Sequence, residues 1–111
     1  MNTNLQGNIG ESIALKHFIS EGYEVYLPFG TASKYDMIVV KDNIPQRVSV
    51  KTTTRKTKSG KWLVKIEQGK LKKMAPFDKV NIDLLFIYIV LENRHVILDT
   101  KDIKTTKCLT I

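Results

Sequence analysis

The sequence has only one cysteine and no long apolar segment. A single cysteine, Cys108, excludes an internal disulfide and is typical of proteins from a reducing cytosol. The longest apolar run, residues 84–91, has 8 residues, whereas a membrane-spanning helix requires about 20. The chain does not open with the basic and apolar segments of a secretory signal. These absences predict a cytoplasmic protein that does not associate with membranes.

Acidic residues are scarce as well. The 111 residues include 18 Lys and Arg against 11 Asp and Glu, which gives a net charge of +7. Nine of these cations fall between residues 51 and 73, where Glu67 is the only acid. Such a local excess of positive charge indicates a polyanionic partner, nucleic acid before membrane. The length predicts a single domain over residues 1–111 with one hydrophobic core.

The distribution of apolar residues predicts an α/β fold. In residues 7–21 they are spaced for a helix with one buried face, with Asn8 as a candidate N-cap and Gly22 as the stop. Alternating and continuous apolar runs predict strands, and two of these form a hairpin around the Asp42-Asn43 turn. The predicted strands span 23–29, 35–41, 46–52, 61–66, 83–91 and 95–99. A short helix at 67–77 and a helical turn within 99–105 complete a mixed central sheet flanked by helices.

The connection after the third predicted strand carries the candidate DNA contacts. Its cations would neutralise phosphates and release counterions, and its hydroxyl groups would donate hydrogen bonds to phosphate oxygens. The alternative is a solvated loop whose lysines only favour solubility. We predict DNA contacts from Thr53, Arg55, Lys56, Lys58 and Lys61.

Three charged side chains are candidates for phosphodiester hydrolysis. Hydrolysis near pH 7 needs a metal ion to activate water and offset developing charge, and Mg²⁺ prefers oxygen ligands. Asp36 stands at the start of the second strand and Lys51 near the end of the third, so the hairpin brings them close. Glu11 lies in the first helix between Gly10 and Ser12, small residues that would let the helix approach the hairpin. Helix capping and dipole interactions are sufficient alternative reasons for the two acids.

Four segments, in this order, resemble the PD-(D/E)xK nuclease superfamily. They are GESIALKHFISEGYEV, LPFGTASKYDMIVV, RVSVKTTT and KVNIDLLFIYIVLENRHVILDT, and the resemblance covers roughly residues 6–103. It is closest to the small branch that includes group I intron-encoded homing endonucleases, and more distant to archaeal Holliday-junction resolvases. The resemblance implies a restriction-endonuclease-like core. It also implies that Glu11 and Asp36 bind the metal, that Lys51 is the catalytic lysine and that the Val50 carbonyl is a further metal ligand.

Ser49 departs from the superfamily pattern. The family usually has Glu, or Gln in some intron-encoded members, two residues before the lysine. Alternation along the third strand places Ser49 on an outward face with Arg47 and Lys51, opposite buried Val48 and Val50. We therefore place Ser49 in the catalytic site, with a hydroxyl that is a weaker metal ligand than a carboxylate.

Three explanations for Ser49 stay open. In the first, a metal ligand has moved to Glu67 or Gln68 on the next predicted helix. In the second, two carboxylates and a carbonyl are enough for an active enzyme. In the third, the serine is an inactivating change that leaves a DNA-binding module.

The resemblance implies a Mg²⁺-dependent DNA endonuclease, with Mn²⁺ able to substitute, that acts on double-stranded DNA. The motifs favour a site-specific homing-type enzyme over a junction resolvase. Because two strands must be cut, we expect a homodimer or a homotetramer. Two other classes compete: a non-catalytic DNA-binding module, and a basic protein that associates with RNA or ribosomes.

His17, His95 and Trp62 are assigned no chemistry. The two histidines are far apart in the sequence and lack metal-ligand spacing, so we predict ordinary helix and strand residues. Trp62 is predicted to lie in the core, and stacking on a base is the alternative.

Overall fold

The computed structural model describes residues 3–30, 33–67 and 76–111 of the chain. Within these ranges a helix, α1, spans Thr3–Ser20 and eight strands follow it. The strands are β1 Glu24–Tyr26, β2 Met37–Lys41, β3 Ile44–Thr53, β4 Arg55–Lys56, β5 Trp62–Lys65, β6 Leu84–Ile89, β7 Arg94–Asp99 and β8 Cys108–Thr110. None of the helices in the described ranges is long and apolar enough to cross a membrane.

Helix α1 begins earlier than predicted and ends where predicted. It starts at Thr3, so Asn8 lies inside the helix and its assignment as the N-cap is wrong. Gly22 has a φ of 87°, a left-handed value that favours glycine. Tyr23 N, just beyond it, donates a hydrogen bond to Phe18 O at 3.0 Å. This is the bonding of a Schellman motif, which ends the helix.

A five-stranded sheet in the order β1-β2-β3-β6-β7 forms the centre of the fold. β3 and β6 pair in parallel, and all other neighbours in this sheet pair antiparallel. The predicted hairpin joins β2 to β3. Asp42 and Asn43 at its turn have φ values of 54° and 63°, as a two-residue type I′ turn requires. The mixed α/β architecture is thereby confirmed.

β3 is buried on both faces, which the sequence did not predict. Helix α1 covers the face that carries Val48 and Val50. On the opposite face lies a second apolar cluster, which includes Leu85 of β6, the pairing partner of Ser49. Ser49 is only 4% exposed. The prediction of an outward face at Ser49 is therefore wrong, because a central strand that is covered on both sides has no solvent face.

Strands β4, β5 and β8 form a separate three-stranded sheet in the order β4-β5-β8. The predicted assignment of residues 61–66 to the central sheet is therefore wrong. β5 pairs antiparallel with β8, a strand that the apolar pattern did not predict. The helix predicted over 67–77 falls mostly on residues 68–75, which lie outside the described residues. The helical turn predicted within 99–105 is present as a 3₁₀ turn at Thr100–Asp102.

An ion pair fixes the register between β3 and β6. Arg47 Nε and Nη2 donate hydrogen bonds to the two carboxylate oxygens of Asp83 at 3.0 and 3.1 Å. Two backbone N–H groups add further hydrogen bonds. Arg47 N donates to Asp83 Oδ2 at 2.8 Å, and Asp83 N donates to Arg47 O at 2.9 Å. The Arg47 guanidinium keeps the pKa of Asp83 below its ordinary value. These contacts position the stretch of β3 that follows, residues 48–51, against β6.

Gly10 allows α1 to approach β3 closely. Gly10 is buried, and a Cβ atom at this position would lie 2.5 Å from Thr52 Cγ2 and 3.4 Å from Val50 Cγ1. At such a distance the helix or the strand must shift. The glycine therefore sets the depth at which the next residue, Glu11, reaches the sheet.

We expect Gly10→Ala to lower the free energy of unfolding by about 1–3 kcal/mol, because overpacking pushes α1 away from β3. Gly7→Ala in the same helix is the matched control, since nothing lies within 4 Å of its added Cβ. That control should raise the free energy of unfolding by about 0.5–1 kcal/mol through helix propensity. Urea unfolding of both variants measures the two effects, and effects of the same sign would contradict a close approach at Gly10.

Candidate active site

Asp36 is held at the point where β2 begins. Its backbone N donates a hydrogen bond to Val48 O at 2.8 Å. Its Oδ2 accepts a hydrogen bond from Val50 N at 2.6 Å. These two bonds fix the backbone and the carboxylate of Asp36 against β3. Val50, which donates the second bond, directly precedes Lys51.

The Val50 carbonyl points toward the same edge of β3. In an extended strand the N–H and C=O of one residue point to the same side, and Val50 N already donates to Asp36. β2 begins only at Met37, so this edge of β3 faces the Asp36 side chain. A backbone oxygen and a carboxylate are thus placed beside each other.

Glu11 completes a pair of carboxyl groups. It lies on α1 directly after Gly10, and its carboxyl group is close enough to that of Asp36 for the two to interact. Burial, side-chain hydrogen bonding with Asp36 and the charge of Asp36 raise the pKa of Glu11 from 4.5 to about 7. Glu11 therefore keeps its proton up to about neutral pH.

The carboxyl pair fits a divalent cation with oxygen ligands. A cation bound there would replace the proton of Glu11 and offset the repulsion between the two negative charges. Among the described residues, no three His, Cys, Asp or Glu side chains form a metal-binding cluster. The donor set that fits is therefore Glu11, Asp36 and the Val50 carbonyl, which supplies the third oxygen.

Lys51 lies on the face of β3 opposite to Val50 and helix α1. Its side chain is largely buried, and burial lowers its pKa, while the charge of Asp36 acts in the opposite direction. An ammonium group in such a site interacts strongly with negative charge because little water screens it. Lys51 is thus suited to stabilise an anionic group next to Asp36.

Two cavities meet at Asp36. The first, of about 580 Å³, lies on the α1 side and is lined by Glu11, Ser12 and Tyr35 among others. The second, of about 390 Å³, is lined by Ser33, Lys34, Asp36, Ser49, Val50, Lys51 and Glu67. The site predicted from the sequence is thus divided between the two faces of the sheet, with Asp36 at the junction. Glu67, which was one of two alternatives for a relocated ligand, lies in the second cavity.

The raised pKa of Glu11 predicts a pH-dependent stability in the absence of metal. The folded chain holds this proton more tightly than the unfolded chain. The resulting stabilisation is present below pH 4.5 and is lost as the pH rises through about 7. In EDTA, Glu11→Gln should remove on the order of 1–2 kcal/mol of the stability difference between pH 5 and pH 8, after solvent screening is allowed for. Denaturant titrations at both pH values test this, and parallel pH profiles for parent and variant would contradict it.

The candidate DNA-binding cations lie on the β4–β5 hairpin. They are four in number and all are exposed: Arg55, Lys56, Lys58 and Lys61. The turn is closed by Thr57 N, which donates to Lys61 O at 2.7 Å. The structure therefore presents a basic hairpin, defined as residues 55–61, where the sequence indicated an irregular connection.

The structure contradicts the predicted DNA contact of Thr53, which has a structural role instead. It is 5% exposed, and its Oγ1 donates a hydrogen bond to Leu63 O at 2.5 Å. The same hydroxyl accepts a hydrogen bond from Arg55 N at 3.3 Å. A hydroxyl that is buried and bonded in this way is not available to a phosphate. Its function in the fold is to join the end of β3 to the smaller sheet.

Trp62 lies in the core, as predicted. It is 4% exposed, its Nε1 donates to Glu92 Oε1 at 3.1 Å, and Lys56 Nζ lies 4.9 Å from its ring centroid. His17 and His95, by contrast, come together with ring centroids 4.4 Å apart. No spacing in the sequence could reveal this contact, because α1 and β7 meet only in the folded chain.

Comparisons with known proteins identify the family. Residues 1–107 match the family described as PD-(D/E)XK endonuclease. The chain belongs to the PD-(D/E)XK endonuclease family. This assignment confirms the resemblance found in the sequence and shows that the chain carries a nuclease domain.

Two similar proteins add detail to the PD-(D/E)XK assignment. The fold is similar to that of the bacterial homing endonuclease I-Ssp6803I, with a TM-score of 0.84 at 19% identity, over 100% of this chain and 78% of that one. Protein 5.3 of Escherichia phage T7 is 42% identical over 57 residues, which are 50% of this chain and 48% of that protein. The chain thus spans about half the length of that phage relative.

Proposed function

We propose that this PD-(D/E)XK chain is a divalent-metal-dependent DNA endonuclease that uses Mg²⁺, with Mn²⁺ able to substitute. The observation that carries the proposal is the pair of neighbouring carboxyl groups of Glu11 and Asp36 beside the Val50 carbonyl. Two acids whose burial and proximity raise a carboxyl pKa to about 7 are typical of functional sites. Family membership supports the nuclease class.

In this mechanism Glu11, Asp36 and the Val50 carbonyl would hold the ion. A bound Mg²⁺ would supply polarisation of the phosphate and a lowered pKa of water. Glu11 would act as a ligand in its deprotonated form, and Asp36 is kept in position by Val50 N. Lys51 donates to the phosphate oxygens as negative charge develops on them. Ser49 lies beside these groups, and its hydroxyl adds a further polar atom to the site.

We further propose double-stranded DNA as the substrate and a site-specific, homing-type activity. The likeness in fold to a bacterial homing endonuclease supports this choice, and a junction resolvase is the alternative. Because a double-strand break needs two active sites, the enzyme would act as a homodimer or a homotetramer. A single domain over residues 1–111 and an intracellular location stay predictions from the sequence.

Nicking of supercoiled plasmid tests the proposed activity. Purified chain with Mg²⁺ should convert supercoiled DNA to nicked and linear forms, EDTA should stop it, and Mn²⁺ should restore it. Parallel assays on linear duplex and on four-way junctions separate the homing-type activity from a resolvase. Binding to DNA without cleavage in either metal would support a non-catalytic module instead, with Ser49 as an inactivating change.

The basic hairpin should carry much of the DNA affinity. We expect the quadruple change of Arg55, Lys56, Lys58 and Lys61 to Gln to reduce the slope of log affinity against log salt by about 0.9 for each phosphate that is no longer neutralised. The matched control removes four positive charges elsewhere, by changing exposed Lys16, Lys79, Lys104 and Lys107 to Gln.

Fluorescence anisotropy over a salt series measures both slopes. A control that weakens binding as much as the hairpin variant would mean that net charge, and not the hairpin, determines DNA affinity. A hairpin variant whose salt dependence overlays that of the parent would leave only the solvated-loop interpretation.

A further inference from the structure

The loop after β1 presents the most exposed large apolar side chain in the described ranges, that of Phe29. We call residues 27–30 the apolar loop. Phe29 is fully exposed and Leu27 is 65% exposed, and Phe29 belongs to neither apolar cluster of the described residues. The fold therefore gains no burial from Phe29, and an exposed apolar surface of this kind indicates a binding site when it lies at a functional cavity.

The apolar loop borders the candidate active site. Three of its four residues line the first cavity, together with Glu11 and Asp36. The fourth, Phe29, is flanked by Pro28, whose ring fixes φ, and by Gly30, which turns the chain with a φ of 84°. This backbone leaves the Phe29 side chain in solvent at the edge of the cavity. A ligand in the cavity thus has an apolar side chain beside it.

The apolar loop is too small to hold a second copy of the chain by itself. One phenylalanine buries about 150–250 Å², whereas a stable protein–protein interface buries about 800 Å² on each partner. The side chain of Phe29, with part of Leu27, has the size needed for insertion between two stacked base pairs, and Phe and Leu are among the residues that proteins use in this way. The net charge of +7 favours the same partner, a nucleic acid.

Double-stranded DNA bound at the carboxyl pair would reach the apolar loop. The proposed function places a phosphate at Glu11 and Asp36, in a cavity that the apolar loop also lines. Successive base pairs are about 3.4 Å apart along a duplex. The base pairs next to the cleaved phosphate therefore lie at the same cavity, beside Phe29.

We propose that Phe29 inserts between neighbouring base pairs of the bound DNA next to the cleaved phosphate, with Leu27 supporting it. Insertion of an apolar side chain unstacks one base step and kinks the duplex. The cost is lowest at flexible pyrimidine–purine steps such as TA and CA, so the enzyme would prefer such a step beside its cleavage site. The kink holds the phosphate at the carboxyl pair. The inference rests on the proposed endonuclease function and names a DNA-binding residue for it.

Binding to two duplexes in EDTA, one rich in TA and CA steps and one made of stiff A-tracts, tests the insertion. Phe29→Ala should weaken binding to the first duplex about tenfold, as is typical when an aromatic side chain that stacks on a base is removed. Its effect on the A-tract duplex should be less than about twofold, because a stiff duplex resists insertion. Phe29→Trp should retain the parental preference. Ile44→Ala, which changes an exposed apolar residue at the turn of the β2–β3 hairpin, is the matched control and should bind both duplexes as the parent does.

Relaxation of closed circular plasmid by topoisomerase I in EDTA gives a second measurement. Insertion unwinds the duplex, so the parent, Phe29→Trp and Ile44→Ala should lower the linking number of the relaxed plasmid, whereas Phe29→Ala should not. DNA should also quench the indole fluorescence of Phe29→Trp, while the buried Trp62 of the parent should show no such change. The melting temperature of Phe29→Ala should equal that of the parent, because Phe29 is exposed.

The outcomes separate the role of the apolar loop from the proposed function. If the parent nicks plasmid with Mg²⁺ and Phe29→Ala matches Ile44→Ala in both measurements, the insertion is wrong and the endonuclease stands. If the parent shows the step preference but nicks in neither metal, the endonuclease fails and the insertion belongs to a DNA-binding module. If the parent neither binds nor nicks DNA, both fail. If Phe29→Ala dissociates a dimer in sedimentation and leaves the step preference unchanged, the apolar loop binds a second copy of the chain, which also overturns the insertion.

Discussion

Asp36→Asn should reduce nicking of supercoiled DNA by about a thousandfold or more, with little loss of stability. Asp36 is the residue at which both cavities meet, and its charge acts on Lys51. Loss of a metal ligand removes several kcal/mol of transition-state stabilisation. Asparagine keeps an oxygen that accepts the hydrogen bond from Val50 N, so the hairpin remains intact.

This choice of substitution follows from the structure. Asp36→Ala would leave Val50 N without its partner, and unfolding would then be confused with loss of catalysis. Asparagine also removes the charge that helps to raise the pKa of Glu11. Nicking assays, melting curves in EDTA and NMR titration of Glu11 are therefore measured together. A variant that still nicks at the parental rate would show that Asp36 does not hold the ion. An unchanged Glu11 titration would contradict the pairing of the two acids.

Lys51→Met should reduce the nicking rate by about a hundredfold to a thousandfold, while Mn²⁺ binding and the fold are retained. This loss of rate is the one expected when a single charged hydrogen-bond donor to a developing anion is removed. Burial lowers the pKa of Lys51, so the charged form costs stability below that pKa. An unbranched apolar side chain of similar length removes this cost, and the melting temperature at pH 7 should be equal or higher.

The matched control for Lys51 is Lys16→Met, a change of the same type on the exposed side of α1. It should leave the nicking rate within about twofold of the parent, since an exposed charge at a distance is screened by salt. Single-turnover nicking at saturating Mg²⁺ separates a catalytic defect from weak DNA binding. A Lys51→Met variant with parental single-turnover rate would remove Lys51 from the chemistry.

Local patterns in the sequence were sufficient for the elements around the site. The left-handed turn at Asp42-Asn43 and the flanking alternation determine the hairpin, since both act between near neighbours. Gly10, beside Glu11, indicates the close approach of α1 to β3. The structure shows this approach, because a Cβ atom at Gly10 would lie too close to Thr52. Glu11, Asp36 and Lys51 could thus be named together because the hairpin and one helix are enough to assemble them.

Only the tertiary structure decided which faces are covered. Alternation correctly puts Ser49 and Val48 on opposite faces of β3, but both faces are buried, because α1 packs on one and the second apolar cluster on the other. That cluster draws on residues far apart in the sequence, which no local period can reveal. The same packing withdraws the Thr53 hydroxyl from solvent and brings Glu67 to the cavity at Ser49. The sequence by itself therefore determined the acids, the lysine and the basic charge, whereas burial on both sides of β3 determined which polar groups remain free to bind.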